Sequence, residues 1–330
     1  MLNLKIFLLT LVMVLGLTVI FTKKLIPILR QKRMGQKILD IGPKWHKSKE
    51  GTPTMGGLSF IVASIIALFV ILAVFWREIE KREIALLINI FVFAVLNALV
   101  GVVDDFTKLK KNENQGLSPL GKLTLQGLIA ALFLVAMKYT VGVETIVELP
   151  FLGETDLGIF YYLIAFLLLC GTVNAVNLTD GLDGLASTCA LTIGLFLAFV
   201  AFTLYNSTSL SFLGSSLIGG TIGFLCFNLH PAKIFMGDTG SLFFGGLVVG
   251  SSFALGNIFL VFIYGLIFLL EALSVILQVA FFKITKGKRL FKMAPLHHHF
   301  ERSGLSEMKI VSIFGFASFL FCTIAFLVML

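Results

Sequence analysis

Long apolar runs follow one another along this chain with little between them. Each is about 20 residues long, the length of a helix that crosses the hydrocarbon core of a bilayer. None alternates apolar and polar positions with period two, so the pattern predicts helices rather than the strands of a barrel. Ten spans are predicted, at 4–22, 57–76, 85–103, 121–142, 158–175, 184–204, 211–228, 241–256, 257–282 and 309–330. The eighth and ninth nearly abut across Gly256-Asn257, and the ninth, which carries Glu271, is long enough to be bent or tilted. The first span lacks a small-residue cleavage site and runs into Lys23-Lys24, so it reads as a membrane helix and not as a removed signal.

Composition agrees and narrows the class. Hydrophobic residues make up 58% of the 330-residue chain and charged residues 13%. A soluble domain carries about 25% charge. The expected fold is therefore an all-α, polytopic membrane protein, with residues 1–330 forming one transmembrane domain. Its chemistry is expected in the connections 23–56, 104–120, 176–183, 229–240 and 283–308. The four cysteines, Cys170, Cys189, Cys226 and Cys322, all lie in apolar runs without CxxC spacing and read as small buried hydrophobes.

The basic residues orient the bundle. Of the 26 Lys and Arg, 21 fall in or border the odd-numbered connections, which places those connections on the cytoplasmic side and both termini outside. The net charge of +8 is then mostly topological bias and implies no nucleic acid partner. A basic cytoplasmic face also attracts anionic membrane lipids and phosphorylated substrates.

The acids are few, 18 Asp and Glu in all, yet the odd-numbered connections collect them into motifs. Asp104-Asp105 closes the third span. Adjacent carboxylates repel unless a cation or proton intervenes, and Mg²⁺, which prefers oxygen ligands and bridges to phosphates, is the natural partner. A solvated helix end is the plain alternative. The DDxxD pattern of prenyl diphosphate synthases fails here, because its fifth position is Lys108. The run Asn177-Leu178-Thr179-Asp180-Gly181-Leu182-Asp183-Gly184 sits in a very short connection without a cation of its own. Acids at membrane depth are costly, which makes them functional candidates. In Phe235-Met236-Gly237-Asp238-Thr239-Gly240-Ser241, Asp238 and Thr239 are placed to cap the eighth helix, a role compatible with Asp238 also holding a metal. Pro295-Leu296-His297-His298-His299-Phe300-Glu301 brings imidazoles that can donate to phosphate or shuttle protons. Consecutive histidines on a regular helix cannot all face one ion, which weighs against zinc. Gly51-Thr52-Pro53-Thr54-Met55-Gly56-Gly57 is Gly-rich but lacks the Lys-Ser/Thr ending of a P-loop. Lys122 opens the fourth span and either meets a lipid phosphate or snorkels to the interface. Transporters also use membrane acids, but usually near mid-bilayer across a pseudo-symmetric repeat. Here Glu271 alone is deep and no repeat is evident.

Taken together, Asp104-Asp105, NLTDGLDGLA from Asn177, FMGDTGS from Phe235 and PLHHHFE from Pro295 resemble the polyprenyl-phosphate N-acetylhexosamine-1-phosphate transferases. The unbroken PLHHHFE is most similar to the branch that transfers phospho-N-acetylmuramoyl-pentapeptide. The resemblance runs from GTPTMGG to the last span. It implies a bacterial inner-membrane enzyme that uses Mg²⁺, takes UDP-N-acetylmuramoyl-pentapeptide and undecaprenyl phosphate, and releases UMP; a relative using UDP-GlcNAc is the alternative. It also implies a homodimer. Carried onto these positions, it makes Asp238 the first metal ligand with Asp180 beside it, and Asp104 either the base toward the lipid phosphate or the group that organises its attack, next to Asp105. Lys47, Thr52, Asn174, Asn177, Asp180, Asp183 and Asn228 surround the nucleotide and its diphosphate, and Phe235 stacks on uracil. His297, His298 and His299 meet phosphate or the sugar-peptide, and Lys122 meets the lipid phosphate. Direct attack by the lipid phosphate is favoured over a covalent aspartyl intermediate.

Overall fold

A computed structural model describes residues 1–32, 35, 49–111, 116–149 and 153–330. Lys47, one of the expected nucleotide contacts, lies outside the described residues. The chain is helical almost throughout. In order, the helices are α1 (Leu2–Gln31), α2 (Gly57–Phe75), α3 (Lys81–Lys111), α4 (Pro119–Ala136), α5 (Ile159–Thr179), α6 (Leu185–Val200), α7 (Thr208–Asn228), α8 (Gly237–Ala254), α9 (Val261–Tyr264), α10 (Leu266–Ile284), α11 (Leu296–Glu301) and α12 (Glu307–Val328). Between α4 and α5 an antiparallel hairpin pairs β1 (Ile146–Leu149) with β2 (Gly153–Asp156).

Among the described residues, nine helices are long and apolar enough to cross a membrane. The expected span missing from these nine is the eighth, α8. It falls short in apolarity because Gly and Ser fill much of it, and the same small residues explain its place. From Thr239 to Phe253 every residue of α8 is buried. Gly245 lies against the backbone of Val173 on α5, and Gly246 against Ala94 on α3. In lipid, helices associate by close packing and not by hydrophobic exclusion, so small residues mark the interfaces. α8 is thus the central post of the bundle, sheathed by its neighbours. The lipid-facing surface is greasy, with Leu4, Val12, Phe69, Leu128, Ile276 and Phe316 all exposed.

Three boundaries differ from expectation in ways that matter. α3 continues two turns past the expected end, so Asp104 and Asp105 stand on a helix instead of in a loop. The Asp104–Lys108 pair at i,i+4 spacing, 2.7 Å apart, supports that extension. α1 likewise runs on to Gln31, through Lys23-Lys24. The expected ninth span breaks at Gly265 between the short α9 and α10. Asn3 at the start of α1 accepts a hydrogen bond from Thr208 at the start of α7, 2.7 Å, which fixes the N-terminus to that end of the bundle. The segments holding the chemical motifs gather at the other end.

Candidate active site

The start of α8 anchors the site. Asp105, on α3 and buried, accepts from the Thr239 N–H at 3.0 Å, the Thr239 hydroxyl at 2.7 Å and the Asp238 N–H at 3.2 Å. It caps α8 from a neighbouring helix, satisfying N–H groups that have no partner within their own helix. Gly237 makes that approach possible: its φ is +70°, and a Cβ there would strike the Asp105 carboxylate. Asp105 therefore builds the site while its neighbour faces it.

Asp104, Asp105 and Asp238 offer carboxylate oxygens within 4.8 Å of one another. Asp104 Oδ1 accepts from the Leu117 N–H at 2.8 Å. Two lysines lie in the cluster. Lys108 Nζ is 2.7 Å from Asp104 and 3.1 Å from Asp238, and Lys122 Nζ, from α4, is 2.7 Å from Asp238. Asn177 on α5 donates to Asp238 Oδ1 at 3.1 Å and to the Ser241 hydroxyl at 2.7 Å, and accepts from Lys122 at 3.2 Å. Asp180 follows the end of α5. Its carboxylate makes no hydrogen bond among the described residues. Desolvation by the surrounding protein pushes it well above the usual carboxylate range, with repulsion from Asp238, Asp105 and Asp183 adding to the shift.

This donor set suits a hard divalent cation. It consists of carboxylate oxygens with an amide oxygen near by, at the end of the bundle, and one carboxylate, Asp180, has no hydrogen-bond partner among the described residues. Asp104, Asp105 and Asp238 are the residues whose oxygens lie close enough together to hold such an ion, Asp105 while also capping α8, and the charge of Asp180 is felt from the neighbouring turn.

A second group lies beside the first. Asp183, next along the same turn, is 2.7 Å from Lys49 and 2.9 Å from His230, and also accepts from the Ala232 N–H at 3.0 Å. Lys49 reaches on to Glu307 at the start of α12, again at 2.7 Å. Asn228 ties the same loops together, accepting from the Gly184 N–H at 3.1 Å and donating to the Ile234 carbonyl at 2.9 Å. The 49–57 segment docks by its backbone: the Phe235 N–H donates to the Pro53 carbonyl and the Gly56 N–H to the Phe235 carbonyl, both at 2.8 Å. Phe235 is left half-buried at the edge, and Thr52, which precedes Pro53, is half-buried as well.

Other expected contacts are placed differently. Asn174 sits one turn deeper on α5 and donates to Gln126 on α4 at 2.7 Å, away from the Asp238 cluster. His297 is buried against the 180–183 turn, whereas His298 is half-buried and faces Glu301 at 2.6 Å. His299 accepts from the Lys292 N–H at 3.1 Å and lies edge-on to Phe291 and Phe300. Sequence reading gave no role to Lys108, His230, Ser241 or Glu307. Only Lys108 carried a usable signal, its i,i+4 spacing from Asp104, and that signal required knowing that α3 continues.

A polytopic helical bundle with acids and lysines converging at one end has the make-up of a membrane enzyme that handles a phosphorylated substrate. Residues 87–256 match Glycosyl transferase family 4, and residues 49–61, which open on Lys49, match signature 1 of the phospho-N-acetylmuramoyl-pentapeptide-transferases. A transferase of that name from Clostridium perfringens (strain SM101 / Type A) is 44% identical over 304 residues, covering 92% of this chain and 90% of the relative. One from Halalkalibacterium halodurans is 42% identical over 325 residues and 97% of each chain. Another, from Listeria welshimeri serovar 6b, is 42% identical over 300 residues and 90% of each. The chain belongs to the phospho-N-acetylmuramoyl-pentapeptide-transferase family.

Proposed function

We propose that the mouth formed by Asp104, Asp180, Asp238, Lys108, Lys122 and Asn177 is the phosphoryl-transfer centre of this enzyme. The reaction moves phospho-N-acetylmuramoyl-pentapeptide from its UDP carrier to undecaprenyl phosphate, giving lipid I and UMP for peptidoglycan synthesis. The observation that carries the assignment is the convergence of Asp104, Asp105, Asp180 and Asp238 with Lys108 and Lys122, from α3, α4, α8 and the turn after α5, at one end of the bundle. In this reading that end faces the cytoplasm, where a nucleotide sugar is available, and the lipid phosphate meets it at the inner surface of the bacterial plasma membrane.

Both reactants are anionic, so the protein's task is to neutralise and align them. Mg²⁺, held by Asp238 with Asp180 and Asp104, would screen the diphosphate and stabilise departing UMP. Lys122 opens α4 near the interface and has N–H donors beyond the one on Asp238, so it is suited to the lipid phosphate. Lys108 does the same from α3. Asn177 holds Asp238 in register through its amide and fixes Ser241. Phe235, at the rim, offers a ring face for uracil. The lipid phosphate is already a nucleophile at neutral pH, and no carboxylate need be phosphorylated on the way.

The test is UMP release by the purified protein in detergent with both substrates and Mg²⁺, beside EDTA and Asp238→Ala controls. Release that needs all three additions and is lost in both controls is expected. Release with UDP-GlcNAc and none with the muramoyl-pentapeptide nucleotide would overturn the substrate assignment.

A further inference from the structure

Glu271 lies on α10 within a membrane-spanning helix and is fully buried. It has no Lys or Arg partner among the described residues. Its carboxylate instead grips one residue twice: Oε1 accepts from the backbone N–H of His297 at 3.1 Å, and Oε2 lies 3.1 Å from His297 Nδ1. With Glu271 as a carboxylate, Nδ1 is the donor and carries the hydrogen of the ring, and the grip fixes both the start of α11 and the orientation of the imidazole.

The other ring nitrogen, Nε2, is buried without a hydrogen-bond partner among the described residues. It points at Gly181, between Asp180 and Asp183. A Cβ at Gly181 would collide with Nε2 and Cε1 of that ring. The φ of Gly181 is not positive, whereas that of Gly184 is +79°. Gly184 is glycine for its backbone conformation; Gly181 is glycine because the imidazole occupies the space of its side chain. An apolar ring would fill the same space without stranding a buried nitrogen. What histidine adds is the bond to Glu271.

We propose that Glu271 and His297 are positioning residues. Together they brace the carboxylate turn from behind, so that Asp180 faces Asp238 and Asp183 faces Lys49. The chain of contact runs from α10 through Glu271, His297 and Gly181 to the turn. His297 acts through the turn and not on the substrate. This rests on reading that turn as part of the transfer site, but the contacts themselves can be tested without substrate.

Three full-length proteins, Gly181→Ala, His297→Ala and the double variant, would be compared with the parent by thermal unfolding in detergent and by UMP binding calorimetry. Gly181→Ala alone should weaken UMP binding about tenfold or more and lower the unfolding temperature. Removing the ring should relieve the collision, so the double variant should be no worse than His297→Ala in either measurement. Additive losses would overturn the brace even in an enzyme that transfers normally. Glu271→Gln, nearly isosteric, supplies the second arm, read by ¹⁵N-histidine NMR with His297 assigned by substitution. The parent should show His297 with hydrogen on Nδ1. The variant should lose that signature, and the KM for the nucleotide sugar should rise several-fold while the unfolding temperature changes little. Unchanged ring signals and unchanged KM would overturn the role of Glu271. Loss of transfer by the parent protein would instead count against the reading of the site.

Discussion

Two acidic groups share one end of this bundle, both borne in part by the turn after α5, and they solve the problem of buried negative charge in opposite ways. Around Asp183 the answer is internal. One oxygen meets Lys49, the other meets His230 and the Ala232 N–H, and Lys49 also reaches Glu307. Around Asp238 the answer is incomplete. Lys108 and Lys122 both crowd one oxygen of Asp238, Asp105 caps α8, and Asp180 has no hydrogen-bonding partner among the described residues. The same residue types, three positions apart in one turn, are thus paired internally at Asp183 and left without a hydrogen-bonding partner among the described residues at Asp180, which fits a latch in one place and the proposed cation site in the other. Composition does not separate the two; Asp183 has Lys49 and His230 on its oxygens, and Asp180 has no such partner among the described residues.

That contrast breaks most sharply at Asp238. Asp238→Ala removes the residue on which the two lysines, Asn177 and the candidate cation converge. The expected loss in kcat is on the order of a thousandfold, with the unfolding temperature largely kept because Asp105 still caps α8. UMP release in detergent measures it. Lys122→Ala should come next. Losing one charge-assisted contact, worth about 1.5–3 kcal/mol, should raise the KM for the lipid phosphate about tenfold or more, while the KM for the nucleotide sugar changes less. A uniform fall in kcat with both KM values kept would place Lys122 outside the lipid-phosphate contact.

Asp180 sharpens the comparison through pH. Its folded-state titration lies well above that of the unfolded chain, so the native state holds the proton more tightly. Stability from this group is present below the ordinary carboxylate range and is lost as pH rises through the raised value. Asp180→Asn should therefore stabilise the metal-free protein by a few degrees at neutral pH, and the gain should vanish on acidification, as followed by thermal unfolding. The same substitution should raise the Mg²⁺ concentration for half-maximal transfer about tenfold. If it destabilises the protein at neutral pH instead, Asp180 has a native partner, and the distinction between the two groups fails.

The bundle was legible in the sequence because the membrane enforces its own pattern: runs of the right length, few charges, and basic residues massed in alternate connections. α8 shows the limit. Its Gly and Ser lower its apolarity to the point where length and hydropathy alone do not mark it, yet they are what lets it pass through the centre. The acids were legible as motifs but not as neighbours. Nothing in the spacing of Asp183 from His230, Lys49 or Glu307 tells that loops from four parts of the chain meet there, since those contacts depend on how α5, α7 and α12 pack. Asp105 read as a catalytic twin of Asp104; one residue's rotation around α3 turned it toward the α8 backbone instead. Asn174 read as a nucleotide contact and lies a turn too deep. His297 lay in plain sight in a triple histidine, but its anchor, Glu271, is in a different helix.

The smallest effect is the most discriminating. Glu307→Gln removes one carboxylate of the latch while leaving Lys49 on Asp183 and His230 beside it. The three side chains are largely shielded, with exposures of 13% for Lys49, 2% for Asp183 and 10% for Glu307, so the pair is worth more than a surface ion pair yet its partner is not stranded. A loss of about 1 kcal/mol or less is expected, with the KM for the nucleotide sugar raised two- to threefold as the turn loosens against α12. Removing Lys49 should cost more, since it takes away the cation that Asp183 and Glu307 share. The informative quantity is Mg²⁺ dependence. If Lys49 is the resident cation of this group, Glu307→Gln leaves the half-saturating Mg²⁺ concentration where it was. A rise matching that of Asp180→Asn would mean that the Asp183, His230 and Glu307 atoms also serve a metal, and the two groups would then be one extended site.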